Sequence, residues 1–299
     1  MADVVKIDGV DVLAAYGAYP TSYEGVFGWP AFKELKTIDW ADEDGVEADL
    51  SNPKLQPYTF TLPFAIRENW GGFWAFITSA QTHTFRFETL GIEKQLRIVG
   101  CSSFEVVGDM GYLTIEVSDD APMEGYTYEA PKSTVELSHK EGEAYIDNVD
   151  VIEYGCVLLA GALDSINKPS NYKEALAVNV SNISGVVFDK EAPVVERSKQ
   201  VVITLLLRAN STEEFWRNYK ALQYNITRPN ARDIDVFGEL QVCYYNSMAV
   251  KYVSAPRFGG DSMWVEISII FNTMAPPCFL AAEGGELIVD ETSQLKIRI

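Results

Sequence analysis

An internal repeat constrains the fold of this chain more than any other feature of its sequence. Residues 7–12 are Ile-Asp-Gly-Val-Asp-Val and are followed by Tyr16-Gly17, while residues 146–151 are Ile-Asp-Asn-Val-Asp-Val and are followed by Tyr154-Gly155. Self-similarity within one chain indicates repeated structural units. We therefore predict a tandem duplication of one domain.

Further matched segments follow in the same order along both halves. They are Asp44-Gly45-Val46 with Ser184-Gly185-Val186, Thr61-Leu62 with Thr204-Leu205, Phe73-Trp74 with Phe215-Trp216, and Leu113–Val117 with Met263–Ile267. A chain of 299 residues is long enough for about two ordinary domains. The predicted divisions are a first copy at 1–122, a connector at 123–143, a second copy at 144–275 and a C-terminal arm or hairpin at 276–299.

Alternation of apolar and polar residues predicts strands in both halves. From Tyr58 to Ile66 every second residue is apolar, which is the period of a strand with one buried face. The matching segment Val201–Leu207 is apolar on both faces, so we expect it to be more deeply buried. Pro63 has no amide hydrogen to donate, so we expect the first strand to lie at a sheet edge or to bulge there.

Each half also contains one segment with the apolar spacing of an amphipathic helix. Residues Ser211 to Glu214 have the capping-box pattern, in which the Ser211 hydroxyl accepts the Glu214 amide and the Glu214 carboxylate reaches back. The apolar residues of the first helix are Phe73, Phe76, Ile77 and Ala80, and the predicted structural helix positions are Phe73, Trp74, Phe215 and Trp216. The predicted fold class is mainly β (α+β), with two similar β-sandwich or split-barrel domains, each flanked by one helix.

The sequence offers few residues for catalysis or metal binding. Its four cysteines form no Cys-x-x-Cys pair, its only histidines are His83 and His139, and no nucleophile-elbow, zinc or phosphate-loop motif occurs. We therefore predict no enzyme activity, no cofactor and no metal. Paired carboxylates are the catalytic alternative that stays open, because a glycoside hydrolase needs only two acidic side chains.

The densest run of acidic residues, from Asp39 to Asp49, invites comparison with a calcium loop. The order of an EF-hand is not met, because Trp40 would stand at the first position and Ser51 at the twelfth. The matching segment of the second half, residues 179–188, has lost these acids. We interpret the run as a solvated turn before a strand.

An aromatic, glycine-rich loop between Tyr19 and Pro30 lies outside the periodic segments. We interpret it as an exposed surface that contacts a partner. The residues predicted for this contact are Tyr19, Tyr23, Phe27 and Trp29. The alternative is carbohydrate binding by stacking on these rings.

The charge of the chain narrows the choice of partners. Lys and Arg number 24 and Asp and Glu number 43, which gives a net charge of −19. Such an excess of negative charge argues against a protein that binds nucleic acid or anionic membranes by neutralising phosphates. The first residues do not have the pattern of a signal peptide and no apolar run reaches membrane length, so we expect a soluble product made in a cytoplasm.

Each half has the same succession of motifs. It opens with the Ile-Asp motif and its Tyr-Gly pair, followed by an irregular loop and by an acid or serine before glycine (Asp44-Gly45, Ser184-Gly185). An alternating strand such as Phe60–Phe64 and a short helix come next, before further strands. This succession resembles the N-terminal domain of phage distal tail proteins and the wider group of tail-tube-like domains. The resemblance implies a β-sandwich or split barrel with one helix. Distal tail proteins often carry a different second domain, whereas the second half here resembles the first.

The resemblance also implies a function. Distal tail proteins form rings that join the tail tube to the baseplate or tip, so we expect a structural protein of a phage or prophage virion. We expect it to associate with itself as a trimer or hexamer and to contact other tail and baseplate proteins, while DNA passes without specific binding. The alternatives are a carbohydrate-binding or adhesin-like module and a glycoside hydrolase with paired carboxylates.

Overall fold

The computed structural model describes residues 4–67, 69–136, 143–174, 177–178, 181–182, 184–188, 194–254 and 262–274. The protein is mainly β, with 44% of its residues in strands and 18% in helices, and the predicted fold class is confirmed. The predicted C-terminal arm or hairpin at 276–299 lies outside the described residues.

The described residues of the first half form nine strands, two α-helices and one 3₁₀ helix. In chain order they are β1 (Val5–Ile7), β2 (Val10–Asp11), α1 (Val12–Tyr16), β3 (Ala18–Pro20), the 3₁₀ helix η1 (Glu24–Phe27), β4 (Thr37–Ile38), β5 (Glu47–Ala48), β6 (Tyr58–Ile66), α2 (Trp70–Ile77), β7 (Thr82–Phe87), β8 (Ile92–Val107) and β9 (Met110–Asp119).

The described residues of the second half contain the corresponding series. In chain order they are β10 (Ala144–Ile146), β11 (Val149–Asp150), the 3₁₀ helix η2 (Val151–Tyr154), β12 (Cys156–Leu158), α3 (Ala162–Asn167), β13 (Ala177–Val178), β14 (Val187–Phe188), β15 (Gln200–Ala209), α4 (Thr212–Thr227), β16 (Arg232–Val236), β17 (Glu239–Ser254) and β18 (Met263–Thr273).

Each half forms one seven-stranded antiparallel sheet, and the two sheets have the same strand order. The first is β2-β1-β7-β8-β9-β6-β3 and the second is β11-β10-β16-β17-β18-β15-β12. The hairpins β4–β5 and β13–β14 lie outside the sheets, at the same place in each succession. The shared order agrees with two copies of one domain, while the descent of both from one ancestral domain stays a prediction.

The repeated opening motif folds in the same way in both halves. Asp8 and Asp147 both adopt a left-handed backbone, with φ of 50° and 51°, in the turns of the hairpins β1–β2 and β10–β11. Aspartate enters this region more readily than most residues. Here each carboxylate accepts an amide of the neighbouring strand, from Thr84 for Asp8 and from Asp233 for Asp147. The sequence similarity therefore corresponds to a shared backbone conformation.

Pro63 lies inside the sheet, which corrects the prediction of an edge strand or a bulge. Strand β6 pairs with β9 along its whole length without a register shift. On its other side β3 covers only Phe64 to Ile66, so Pro63 stands just past the end of the short edge strand. Its carbonyl oxygen accepts the Thr21 amide at 2.8 Å. A proline is tolerated there because no paired residue of β3 needs its missing N–H.

The flanking helices begin at matched N-caps. The Asn69 side chain accepts the Gly72 amide at the start of α2, and the Ser211 hydroxyl accepts the Glu214 amide at the start of α4, as predicted. Helix α2 ends at Ile77, so the predicted Ala80 lies beyond it and is exposed. Most of the buried apolar side chains of both halves belong to one continuous hydrophobic core.

The Glu214 carboxylate holds the connector rather than closing a capping box. The Thr134 amide and hydroxyl donate to its two oxygens at 2.6 and 2.7 Å, and its contact with the Asn210 amide is longer, at 3.3 Å. Two residues earlier, the Lys132 amide donates to the buried Asn218 at 2.9 Å. Residues 132–134 therefore follow the surface of α4.

Candidate functional site: the contact between the two halves

The two halves meet around an aromatic cluster. The ring of Phe27, in η1, stacks on Trp216 of α4 with centroids 5.4 Å apart and planes 13° apart. Phe27 also packs edge to face on Phe215, and its carbonyl oxygen accepts the Tyr219 hydroxyl at 2.5 Å. Phe27, Phe215 and Tyr219 are fully buried. Aromatic pairs in these orientations stabilise a contact beyond the area that they bury.

A second contact joins the turn between β7 and β8 to the start of α4. Trp216 is only 8% exposed, and its indole Nε1 donates to the Leu90 carbonyl oxygen at 2.6 Å. The next residue, Gly91, has φ of +65° and lies so close to α4 that an added Cβ would stand 3.0 Å from the Thr212 hydroxyl. The turn and the helix therefore fit closely.

The acid-rich stretch forms a third contact, with residues of the second half. The Lys173 ammonium donates to the carbonyl oxygens of Trp40 and Glu43 and pairs with Asp39, each at 2.6 Å. Three oxygens around a nearly buried ammonium satisfy its three donors. In the described residues no group of three or more acidic, histidine or cysteine side chains is arranged to hold a metal.

The matched Asp44-Gly45 pair takes part in the same contact. The Gly45 amide donates to the Glu196 carbonyl at 2.8 Å, and the Glu196 amide donates to the Asp44 carboxylate at 2.6 Å. Gly45 is buried and has φ of +71°, a conformation that favours glycine. The tip of this loop therefore binds the backbone of one residue in the second half.

The prediction of an exposed aromatic loop is corrected for its central residues. Phe27 and Trp29 are buried, while Tyr19 and Tyr23 are half-buried. Tyr19 lies under the Arg67 guanidinium, and Tyr23 packs edge-on against Phe87. The loop lacks strand or helix periodicity because it joins the two halves instead of covering one sheet.

The four helix positions have unequal surroundings in the two halves. Phe73 and Phe215 are both fully buried, and Phe215 also packs against Phe27 of the first half. Trp216 is covered by the first half, but Trp74 is half-buried and borders an open cavity of 260 Å³. The cavity is lined by Trp70, Trp74, Cys101, Phe104 and Leu113.

A charged cleft of 430 Å³ lies beside the contact between the halves. Lys94 pairs with Asp119 at 3.0 Å, and Arg97 binds Asp120 with two hydrogen bonds of 2.5 and 2.9 Å. The bonds from Arg97, and then from Ser118, hold the pKa of Asp120 below its usual range. A glycoside hydrolase needs a carboxyl group with a raised pKa as its general acid. The pairing of Asp120 with Arg97 works against that role.

The described cysteines do not form a site. Burial raises the pKa of the Cys156 thiol, and burial raises that of Cys243 to about 12. Both are therefore protonated core side chains, whereas Cys101 is exposed.

Sequence reasoning did not assign three residues of this contact to it, namely Tyr219, Lys173 and Glu196. Their partners lie more than a hundred residues away along the chain, so no local spacing reveals them. The matched Asp44-Gly45 and Ser184-Gly185 pairs did indicate part of the contact. A glycine at the same place in both copies marks a backbone position with positive φ or a close approach of another segment.

The chain matches no known protein-family model, and no curated protein matches it either. Among the helices that the structure describes, none is both long enough and apolar enough to span a membrane.

Proposed function

We propose that this protein is a structural component of a phage or prophage tail, of the distal tail or baseplate-hub type. It assembles into a ring that continues the tail tube and connects it to the tip. The observation that carries the proposal is the contact between two halves of equal strand order, because this contact joins unlike surfaces. Contacts between unlike surfaces of similar units generate rings or helical filaments.

The unlike character of the contact follows from the elements that take part. Trp216 of α4 binds the β7–β8 turn of the first half. The corresponding elements are Trp74 of α2, which borders an open cavity, and the β16–β17 turn, where Phe237 is 52% exposed. Each half therefore uses a different side of the same fold.

The charge supports passage of DNA through such a ring. A net charge of −19 for each chain, repeated around a ring, creates a field that repels phosphate. A lumen with this field lets DNA pass without adhering to it. The proposal requires acidic side chains at the lumen and needs no catalytic residue.

The alternatives find less support in the geometry. A carbohydrate platform needs exposed rings, whereas Phe27 and Trp29 are both buried, and Phe27 packs against the second half. A carboxylate hydrolase needs an acid with a raised pKa, and Asp120 has a lowered one.

Solution mass and negative-stain images of the purified chain test the proposal, both alone and mixed with tail-tube and baseplate proteins of the same genome. We expect a closed ring of three or six chains. A chain that stays monomeric in both preparations would overturn the proposal, as would a ring whose lumen is lined by basic residues.

A further inference from the structure

We propose that a second copy of this chain binds head to tail, through the same contact that joins the two halves within one chain. The inference rests on the proposed ring-forming function and names the surfaces that form the ring. We call the β7–β8 turn and the tip Asp44-Gly45 the turn face of the first half. We call Trp216 and the segment around Glu196 the helix face of the second half.

Each face has a counterpart on the opposite half, at the same place in the fold. The β16–β17 turn, with Phe237, and the loop tip Ser184-Gly185 form the turn face of the second half. Trp74 and the segment around Leu55 form the helix face of the first half. Within one chain, the turn face of the first half binds the helix face of the second half. The turn face of the second half and the helix face of the first half are then without a partner among the described residues.

The backbone at Leu55 repeats the backbone at Glu196. Glu196 forms an antiparallel bridge with Tyr172, and Leu55 forms one with Phe32. The hydrogen bonds on either side of each bridge are also equivalent. Beside Glu196, the Lys173 amide donates to the Val195 carbonyl and the Arg197 amide to the Asn171 carbonyl. Beside Leu55, the Lys33 amide donates to the Lys54 carbonyl and the Gln56 amide to the Ala31 carbonyl. This pattern turns the amide and carbonyl of the central residue outward.

The outward groups of Glu196 are bound and those of Leu55 are open. Glu196 receives Asp44 and Gly45 of the first half. Over the described ranges, no hydrogen bond is made to the Leu55 amide or carbonyl. When a contact buries such a backbone pair, its amide and carbonyl need hydrogen-bond partners from the other surface.

The loop tip Ser184-Gly185 has the chemistry to bind there. Ser184 and Gly185 are exposed, and Gly185 has φ of +94° with open space around its Cα. The Ser184 hydroxyl can accept the Leu55 amide as the Asp44 carboxylate accepts that of Glu196. The Gly185 amide can donate to the Leu55 carbonyl. Val186 and Val187, which follow, are half-exposed apolar side chains that such a contact would cover.

The aromatic part of the contact has open counterparts as well. The cavity beside Trp74 also exposes Trp70, which is 47% exposed, and Phe104. The opposing surface is a second cavity of 210 Å³, bordered by Leu158, Leu163 and Phe237. Gly238 has φ of +86° and nothing within 4 Å of an added Cβ, whereas Gly91 lies against Thr212. The turn at Gly238 therefore has open space where the N-terminus of a helix could pack, as the N-terminus of α4 packs at Gly91.

A second copy is the occupant that fits both open faces at once. The chain already contains the mate of each face, with the same strand order and equivalent backbone geometry. Exposed apolar patches rimmed by hydrogen-bonding backbone mark protein contacts. Repetition of one head-to-tail contact extends the assembly until the ring closes.

Disulfide cross-linking between two differently labelled chains tests the inference. Both carry Cys101→Ser and Cys278→Ser, and one carries Leu55→Cys while the other carries Ser184→Cys. We expect covalent dimers on mild oxidation. The positive control is Asp44→Cys with Glu196→Cys in one chain, which reports the same geometry within the molecule. The matched negative control replaces Leu55→Cys with Arg86→Cys, an exposed position on β7 outside the residues that define the two open faces.

Sedimentation of single variants gives an independent readout. Trp74→Ala and Phe237→Ser should each weaken self-association by at least about thirtyfold, the effect of a central hot-spot residue. Phe237 stands in an exposed turn, so Phe237→Ser leaves the fold intact. Equal cross-linking of Leu55→Cys and Arg86→Cys to Ser184→Cys would overturn the inference, and so would unchanged association of both variants. If wild-type rings still form in that case, the ring function stands and only these surfaces are wrong.

Discussion

His83 Nδ1 lies 2.6 Å from Asp8 Oδ2, and the same ring binds the end of helix α2, with its Nε2 2.8 Å from the Ile77 carbonyl oxygen. The second half repeats the arrangement with Arg232, which contacts Asp147 and the Asn225 carbonyl at the end of α4. A side chain of β7 or β16 thus joins the first hairpin to the helix C-terminus in both halves. The Arg232 guanidinium also complements the dipole of α4.

This pair predicts a dependence of stability on pH in the first half. Burial alone raises the pKa of the Asp8 carboxyl, but hydrogen bonds from the Thr84 amide and His83 hold that pKa below its usual 3.8. The carboxylate therefore stabilises the fold at neutral pH, and this contribution is lost as the pH falls below about 4. Asp8→Asn should lower the urea midpoint at neutral pH and flatten its decline from about pH 5 to pH 2. A decline as steep as that of the wild type would contradict the assignment.

Loss of the corresponding carboxylate in the second half should cost more. Arg232 is buried, and Asp147 accepts from both Arg232 and Arg228. Removing one partner of a buried ion pair typically destabilises by about 3–5 kcal/mol. We expect Asp147→Asn to lower the free energy of unfolding by this amount in urea titrations. Asp164→Asn, on the exposed side of α3, is the control and should change it by less than about 0.5 kcal/mol.

Trp216 should dominate the contact between the halves. Trp216→Ala removes a buried ring and is expected to lower the free energy of unfolding by about 3–5 kcal/mol. Trp216→Phe keeps a ring against Phe27 but loses the bond to Leu90, which costs about 1–2 kcal/mol. Calorimetry measures both, with Trp40→Ala as control, because the Trp40 ring is 47% exposed and only its backbone carbonyl binds Lys173. Equal effects of Trp216→Ala and Trp40→Ala would contradict the role assigned to this side chain.

The attachment of the connector to α4 is measurable by limited proteolysis. Glu214→Gln places an amide against the donors of Thr134, so the connector should open more often, at a cost of about 1–3 kcal/mol. Cleavage between residues 123 and 136 should then become faster. Glu213→Gln is a matched control, because the neighbouring Glu213 is exposed. If both variants are cleaved at the wild-type rate, the connector is held by other contacts.

The features that sequence reasoning predicted well depend on neighbours along the chain. The N-cap at Ser211 is one of them, since the hydroxyl and the Glu214 amide are three residues apart. The turns at Asp8 and Asp147 are equally local, since each hairpin closes within a few residues, but the sequence was recognised there only as a repeated motif and no turn was predicted. Local chemistry of this kind can be recognised without any knowledge of the tertiary fold.

The alignment of the last strands shows how periodicity alone misleads. The strand before helix α2 was matched two residues out of register, because Phe64 and not Leu62 takes the place of Leu205, each lying opposite the third residue of its edge strand. Leu113–Val117 matched Met263–Ile267 by alternation, but Leu113 lies opposite Phe64, and it is Ile267 that lies opposite Leu205. A pattern with period two is unchanged by a shift of four residues. Only the pairing with the neighbouring strand fixes the register.

The contact between the halves was beyond prediction for a different reason. Phe27 and Tyr219 are 192 residues apart, and neither stands in a segment whose pattern reveals a distant partner. An aromatic loop without periodicity has the same composition whether it contacts another molecule or another part of its own chain. Burial, which the sequence does not show, separates the two.

Because Phe27 and Trp216 belong to one chain, their contact is insensitive to dilution. A tether gives two linked surfaces an effective concentration on the order of millimolar, far above that of separate molecules. In the proposed ring, the two kinds of contact would therefore alternate around the circumference. Those within a chain would be permanent, and those between chains would be reversible. Such a ring would exchange whole chains on dilution and would never release a single domain.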